Sequence, residues 1–209
     1  MGMFCAMSFV AVLLGKVIPN VAGFLSYDPK DALVAIAGFL FGPLYAVVIP
    51  VLVALVEMVS ISGTGPIGCL MNIISTVSFA LPAALVYKKM KSYQGAILGL
   101  ASGLSFMTMM MLLWNYWVTP IYMEVQREVV ASMLLPVFLP FNAIKGGLNG
   151  ALTLLLYKPL VTTLRRLKLA PASATVAEQK KVRFSFVWIA LALLAVFIML
   201  FLYLIGVIG

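Results

Sequence analysis

The sequence predicts an all-α integral membrane protein, and three observations carry that prediction. The chain of 209 residues is 64% hydrophobic and 10% charged, with a mean hydropathy of +1.16, more apolar surface than a soluble fold can bury. Its apolar residues come in continuous blocks, unlike the alternation of a transmembrane β-barrel. At about 20 residues per crossing of the hydrocarbon core, the length accommodates six or seven spans.

The blocks are read in chain order. Span one covers about 2–19; it has neither a basic leading region nor a small-residue cleavage site and therefore reads as a span, not a signal peptide. A turn-rich loop, "PNVAGFLSYDPKDA" (19–32), follows. A short span two (32–42) stops at Gly42-Pro43, a helix-breaking pair. Span three runs from Pro43 to about Ser62, where "SGTGP" (62–66) breaks the chain. Span four (67–87) ends in "YKKMK", and span five (94–118) ends near Pro120. The segment "MEVQREVVASMLLP" (123–136) reads as a short interfacial helix. Span six (137–157) is expected to continue as helix to Arg166. A polar linker (169–183) separates a domain of residues 1–168 from span seven (184–209), which is apolar all round.

Charge placement sets the expected sidedness. Lys88, Lys89 and Lys91 follow span four; Lys158, Arg165, Arg166, Lys168, Lys180, Lys181 and Arg183 follow span six. If each span crosses once, the positive-inside rule makes that side cytoplasmic. The N-terminus is then expected inside, the C-terminus outside, and loops 19–32 and 62–66 outside. The net charge of +8 thus reflects topology and does not argue for nucleic-acid binding.

Catalytic and metal chemistry find little support. The chain has no histidine, and its two cysteines, Cys5 and Cys69, sit in apolar segments as small buried or lipid-facing residues. "IKGG" lacks the rest of a phosphate-binding G-x-x-x-x-G-K-[ST] loop. We therefore expect no catalytic residues, no metal site and no cofactor.

The polar residues concentrate in the outer loops and outer halves of spans: Tyr27, Asp28, Lys30, Asp31, Glu57, Thr64, Asn72, Asn115, Asn142 and Lys145. That gradient implies a cup open to the outside with a closed floor. In "LPFNAIKGGLNG" (139–150), helical spacing puts Asn142, Lys145, Gly146, Asn149 and Thr153 on one face. A lysine in the middle of a span costs about 2.5–3.5 kcal/mol to insert and by default marks a functional site. The plainer alternatives are a lysine snorkelling to headgroups or paired with Glu57 or Asp28. In "LLWNYWVTPIY" (112–122), Asn115 sits among Trp114, Tyr116 and Trp117, an interfacial aromatic belt or a stacking surface for a flat ligand whose edge the amide reads. Asp28, next to Pro29, is a candidate helix cap for span two as well as a candidate ligand group.

Four stretches together resemble a known family: "YDPKDALVAIAGFLFGP" (27–43), "VEMVSISGTGPIGCLMNIIS" (56–75), "LLWNYWVTPIY" (112–122) and "LPFNAIKGG" (139–147). In this order they are similar to the riboflavin-specific substrate-binding S component (RibU type) of energy-coupling-factor (ECF) vitamin transporters, over about residues 1–166. The resemblance implies a six-helix S-component bundle, with span seven as an additional transmembrane helix, in a prokaryotic plasma membrane. It implies high-affinity capture of riboflavin outside, and inward delivery with a transmembrane coupling subunit and two cytoplasmic ATPases as partners. The chain itself would be no enzyme. Carried over by motif, Asn115, Asn142 and Lys145 contact the flavin ring and loop 19–32 lids the pocket. Glu57, Asp28, Tyr27, Thr64, Asn72, Trp114 and Tyr122 are further ligand-binding candidates. The family's small-residue docking face on the first helix finds its nearest match in Gly2 and Ala6, with Val10 next. The alternatives are an S component for another flat heterocyclic vitamin, or an ion-coupled secondary transporter using Lys145 and Glu57 as a relay; the sequence shows no inverted repeat in favour of the latter.

Overall fold

The computed structural model describes residues 1–21, 25–61, 63–167 and 184–206. They form an all-α bundle: α1 (Gly2–Gly15), α2 (Lys30–Phe41), α3 (Tyr45–Ser60), α4 (Gly65–Met90), α5 (Tyr93–Trp117), α6 (Thr119–Met123), α7 (Arg127–Met133), α8 (Leu139–Arg166) and α9 (Phe184–Leu204). Among the described residues the only β-type pairing is an isolated bridge between Val21 and Leu25. The linker expected at 169–183 lies outside the described residues.

The helices begin and end where the chain's chemistry requires. Gly42, between α2 and α3, has φ 106°, a conformation that a side chain would oppose, and Pro43 prevents α2 from continuing. Ser92 caps α5 by accepting a hydrogen bond from the Gly95 amide at 3.0 Å. The interfacial helix expected at 123–136 is not separate. Residues Arg127–Leu164 form one apolar helical run of 38 residues, through α7, a wide π turn at Leu134–Phe138 and α8. Pro136 and Pro140 remove two backbone donors there, so the ladder shifts instead of breaking; the Leu139 amide reaches back to the Leu134 carbonyl.

Among the described residues, α4, α5 and the Arg127–Leu164 run are long and apolar enough to cross a bilayer by length and composition. At 1.5 Å per residue, α1 is about 21 Å long and α2 about 18 Å, short of a hydrocarbon core of about 30 Å. The short α2 is central: nine of its residues, from Lys30 to Phe39, are buried against α1, α3, α4 and α8. Among the described residues, α4 and α5 share the most extensive helix–helix contact. A side chain at Gly103 would collide with the Phe79 carbonyl, and one at Gly99 would come within 2.6 Å of the Ala83 carbonyl. This small-xxx-small spacing lets the two backbones touch, the main source of helix association where lipid is as apolar as leucine.

The bundle has a basic end and a loop end. Lys88, Lys89 and Lys91 mark the first; loop 16–29, the C-terminus of α3 and the start of α8 mark the second. The basic end is not the solid floor that the polarity gradient suggests. A cavity of about 270 Å³ opens there, lined by Phe39, Tyr87, Tyr93, Tyr157, Val187 and Ala190 among others. Phe39 and Tyr87 stack at 4.4 Å, and the hydroxyls of Tyr87 and Tyr157 meet at 2.8 Å. The fully buried core, including Val34, Ile36, Phe79, Ala80 and Met107, completes the bundle.

A buried ion network and two cavities at the loop end

The start of α2, the end of α3 and the middle of α8 bring five charged side chains together. Lys30 Nζ lies 3.4 Å from Asp28 Oδ2 and 3.5 Å from Glu57 Oε2. Lys145 Nζ lies 3.6 Å from the same Asp28 oxygen and 3.9 Å from Asp31 Oδ2. Two neutral groups close the ends: Asn72 donates to Glu57 at 3.1 Å, and the Thr76 hydroxyl donates to Asp31 at 2.6 Å. All five charged residues are buried. Three carboxylates face two ammoniums, which offsets the cost of taking these charges out of water. Burial alone pushes the Asp28 carboxyl up, but the flanking Lys30 and Lys145 ammoniums outweigh it and hold Asp28 below the ordinary carboxylate range.

Asp28 therefore does not cap α2. The residue preceding the helix is Pro29, no side chain caps it, and the Asp28 carboxylate turns inward to the lysines. Glu57 pairs with Lys30 rather than Lys145. The pairing expected for Lys145 is present through Asp28, at distances longer than the 2.7–2.9 Å typical of a charge-assisted hydrogen bond. Its ammonium thus has donor capacity to give.

Two cavities flank this network and share Met71. One, narrow at about 20 Å³, is lined by Ser26, Asp28, Asn72, Ser75, Asn142 and Lys145 with Leu25, Met71, Met111 and Phe141. The other, of about 40 Å³, is lined by Thr64, Trp114, Asn115, Thr119 and Tyr122 with Met71 and other apolar groups. Eight of the ten expected ligand-binding residues line one cavity or the other. Glu57 and Tyr27 stand behind them. Glu57 holds Lys30 and Asn72, and the Tyr27 hydroxyl reaches the Asn149 Oδ1 at 3.4 Å.

Both asparagines at the cavities are fixed by their own helices. Asn142 Nδ2 donates to the Phe138 carbonyl at 2.8 Å, the last residue of the π turn, which leaves Oδ1 as the atom it can offer as acceptor. Asn115 Nδ2 donates to the Met111 carbonyl at 2.7 Å and its Oδ1 accepts from Thr119 at 2.8 Å, so its second amide hydrogen is the group it can offer. Asn149 anchors the loop: its Nδ2 donates to the Asp28 carbonyl at 3.0 Å. Trp117 and Tyr116 turn away from the cavities to carry the Arg127 guanidinium, 4.8 Å and 5.5 Å from the ring centres.

Sequence reasoning placed Lys30 and Asp31 in the polar cup without making them ligand-binding candidates, and missed Ser75, Thr76 and Met71 as parts of the site. The signal for the first two was the placement of "DPKD" directly against a wholly apolar helix, where charge is expensive. Ser75 had no such mark. Its hydroxyl is buried beside the Lys145 cavity without a hydrogen-bond partner among the described residues. Gly2, Ala6 and Val10 lie together on the exposed face of α1.

Comparison with known proteins agrees over most of the chain. A family model described as "ECF transporter, substrate-specific component" matches residues 1–157. The riboflavin transporter RibU of Staphylococcus aureus (strain TCH60) is 30% identical over 171 residues, covering 79% of this chain and 90% of that protein. The riboflavin transporter FmnP of Bacillus subtilis (strain 168) is 29% identical over 154 residues, covering 69% and 80%. Among solved structures, the S component of a bacterial ECF transporter superposes with a TM-score of 0.67 at 28% identity, covering 79% of this chain and 95% of that one.

Proposed function

The chain belongs to the family of ECF transporter substrate-specific components, a multi-pass membrane protein, and from that premise we propose that it is the riboflavin-binding subunit of such a transporter. The observation that carries the reading is Lys145, a buried ammonium with donors to spare, in one cavity with Asn142 and next to a second with Asn115 and Trp114. A flavin ring offers carbonyl acceptors and one imide N–H donor along one edge. Lys145 donates to a ring carbonyl, Asn142 accepts from the imide, and Asn115 donates its remaining amide hydrogen. Trp114 and Tyr122 supply apolar faces. The ribityl hydroxyls suit the Asn72, Ser75 and Asp28 side of the site. Met71, unbranched and adaptable, separates the two cavities and can yield so that one ligand occupies both. Two relatives named as riboflavin transporters support the choice of vitamin.

In this reading riboflavin enters from the loop end, which faces outside, with the N-terminus cytoplasmic and the C-terminus outside. Loop 19–32 closes over it. The exposed face of α1 bearing Gly2, Ala6 and Val10 meets a transmembrane coupling subunit, and two partner ATPases hydrolyse the ATP. The chain contributes binding and no chemistry of its own. Residues 1–168 form the substrate-binding unit, 169–183 a cytoplasmic linker and 184–209 the extra transmembrane helix.

Titrating the detergent-purified protein with riboflavin, thiamine and folate tests the vitamin. Quenching of flavin fluorescence at near-equimolar protein, undiminished by the other two, is the expected result. Displacement of riboflavin by thiamine or folate would move the reading to another flat heterocyclic vitamin.

A further inference from the structure

We propose that α9, which lies beyond the stretch the family model matches, braces the lid loop against the binding site, with Phe197 and Phe201 as positioning residues. The inference rests on the ligand-binding reading above and adds to it a role for the seventh helix.

The geometry runs unbroken from α9 to Lys145. The adjacent glycines of α8 face different neighbours. A side chain at Gly146 would meet Leu104 and Met107 of α5 at 3.1 Å, whereas one at Gly147 would collide with the ring of Phe197. Phe197 therefore seats against bare α8 backbone two residues from Lys145, and this contact requires glycine. One turn further along α9, Phe201 is buried and its ring centre lies 5.7 Å from that of Tyr27 in the loop. Tyr27 bonds to Asn149, Asn149 holds the Asp28 carbonyl, and the Asp28 carboxylate faces Lys145.

The same apolar cluster contains Val21 and Leu25, which pinch the loop with reciprocal backbone hydrogen bonds of 2.9 and 3.0 Å, and Phe138 and Phe141 at the start of α8. Phe201 thus provides the wall against which the loop closes. Leu194 and Leu204 of α9 pack against the same cluster, whereas Val196 and Met199 are 53% and 66% exposed and lie outside it.

The test uses point variants of the full chain. Flavin release is followed by the return of fluorescence, and hydrogen exchange is followed at the Val21 and Leu25 amides. Removing an aromatic pair predicts that Phe201→Ala releases flavin about 2- to 12-fold faster. The association rate should change less, and exchange should quicken at Val21 and Leu25 but not in α4 and α5. Phe201→Tyr should restore most of the effect, and Met199→Ala should match the parent. Parent-like release and loop exchange in Phe201→Ala would overturn the brace. If the parent chain binds no flavin while Phe201→Ala still quickens loop exchange, the brace stands and the riboflavin reading fails.

Discussion

Lys145 illustrates how a single side chain acquires a function from its distances. Its ammonium is buried between Asp28 at 3.6 Å and Asp31 at 3.9 Å, close enough for charge compensation and too far to consume its donors. Charge-assisted hydrogen bonds contribute about 1.5–3 kcal/mol, so Lys145→Met should weaken riboflavin binding by about 10- to 100-fold in a fluorescence titration. Asn142→Ala should weaken it less, because the lost group is neutral. The neighbours Ser75 and Thr76 should separate binding from stability. Ser75 Oγ has no partner to lose among the described residues, so Ser75→Ala should leave the melting temperature unchanged and cost ligand affinity alone. Thr76→Val removes the donor to Asp31, leaving a buried carboxylate oxygen unpaired at a cost of about 1–3 kcal/mol, and should lower the melting temperature even without ligand.

At the scale of elements, glycine spacing and proline placement decide the outcome. α4 and α5 meet where Gly99 and Gly103 expose their backbone to Ala83 and Phe79. Gly103→Leu should force the helices apart and destabilise the detergent-solubilised protein by about 1–3 kcal/mol or more, read as a drop in melting temperature. The boundaries of α2, α3, α4 and α5 were legible within a few residues, because Gly42-Pro43, "SGTGP" and the lysines after Tyr87 punctuate the apolar blocks. The fusion of 127–136 into the long helix before Leu164 was not. The interfacial segment was read as ending at Pro136, but the donors missing at Pro136 and Pro140 widen the ladder into a π turn while apolar packing around Phe138 and Phe141 carries the helix through. Asp28 was misplaced as a cap for a related reason. Local sequence describes the backbone amides near a helix start, but not a lysine from α8, more than a hundred residues away, that competes for the carboxylate.

For the whole molecule, the polar cup at the loop end followed from composition and sidedness, since unpaired charge in an apolar chain has few places to go. The partition of Lys30 with Glu57, and Lys145 with Asp28 and Asp31, could not follow from sequence, because it depends on how α2, α3 and α8 pack. Docking is a property of this scale too. The exposed α1 face should serve contact with a coupling subunit and not the vitamin. Ala6→Trp is therefore expected to retain flavin binding in detergent while abolishing riboflavin uptake in cells that supply the coupling module.

The central claim, that the buried Lys145 and the asparagine cavities hold a flavin, is tested most directly by titrating detergent-purified protein with riboflavin and following the absorbance and fluorescence of the bound flavin. One riboflavin bound per chain in the parent, with at least a tenfold loss in Lys145→Met, is the predicted result. A well-folded parent that binds no flavin, or a Lys145→Met variant that binds it as tightly as the parent, would contradict the account.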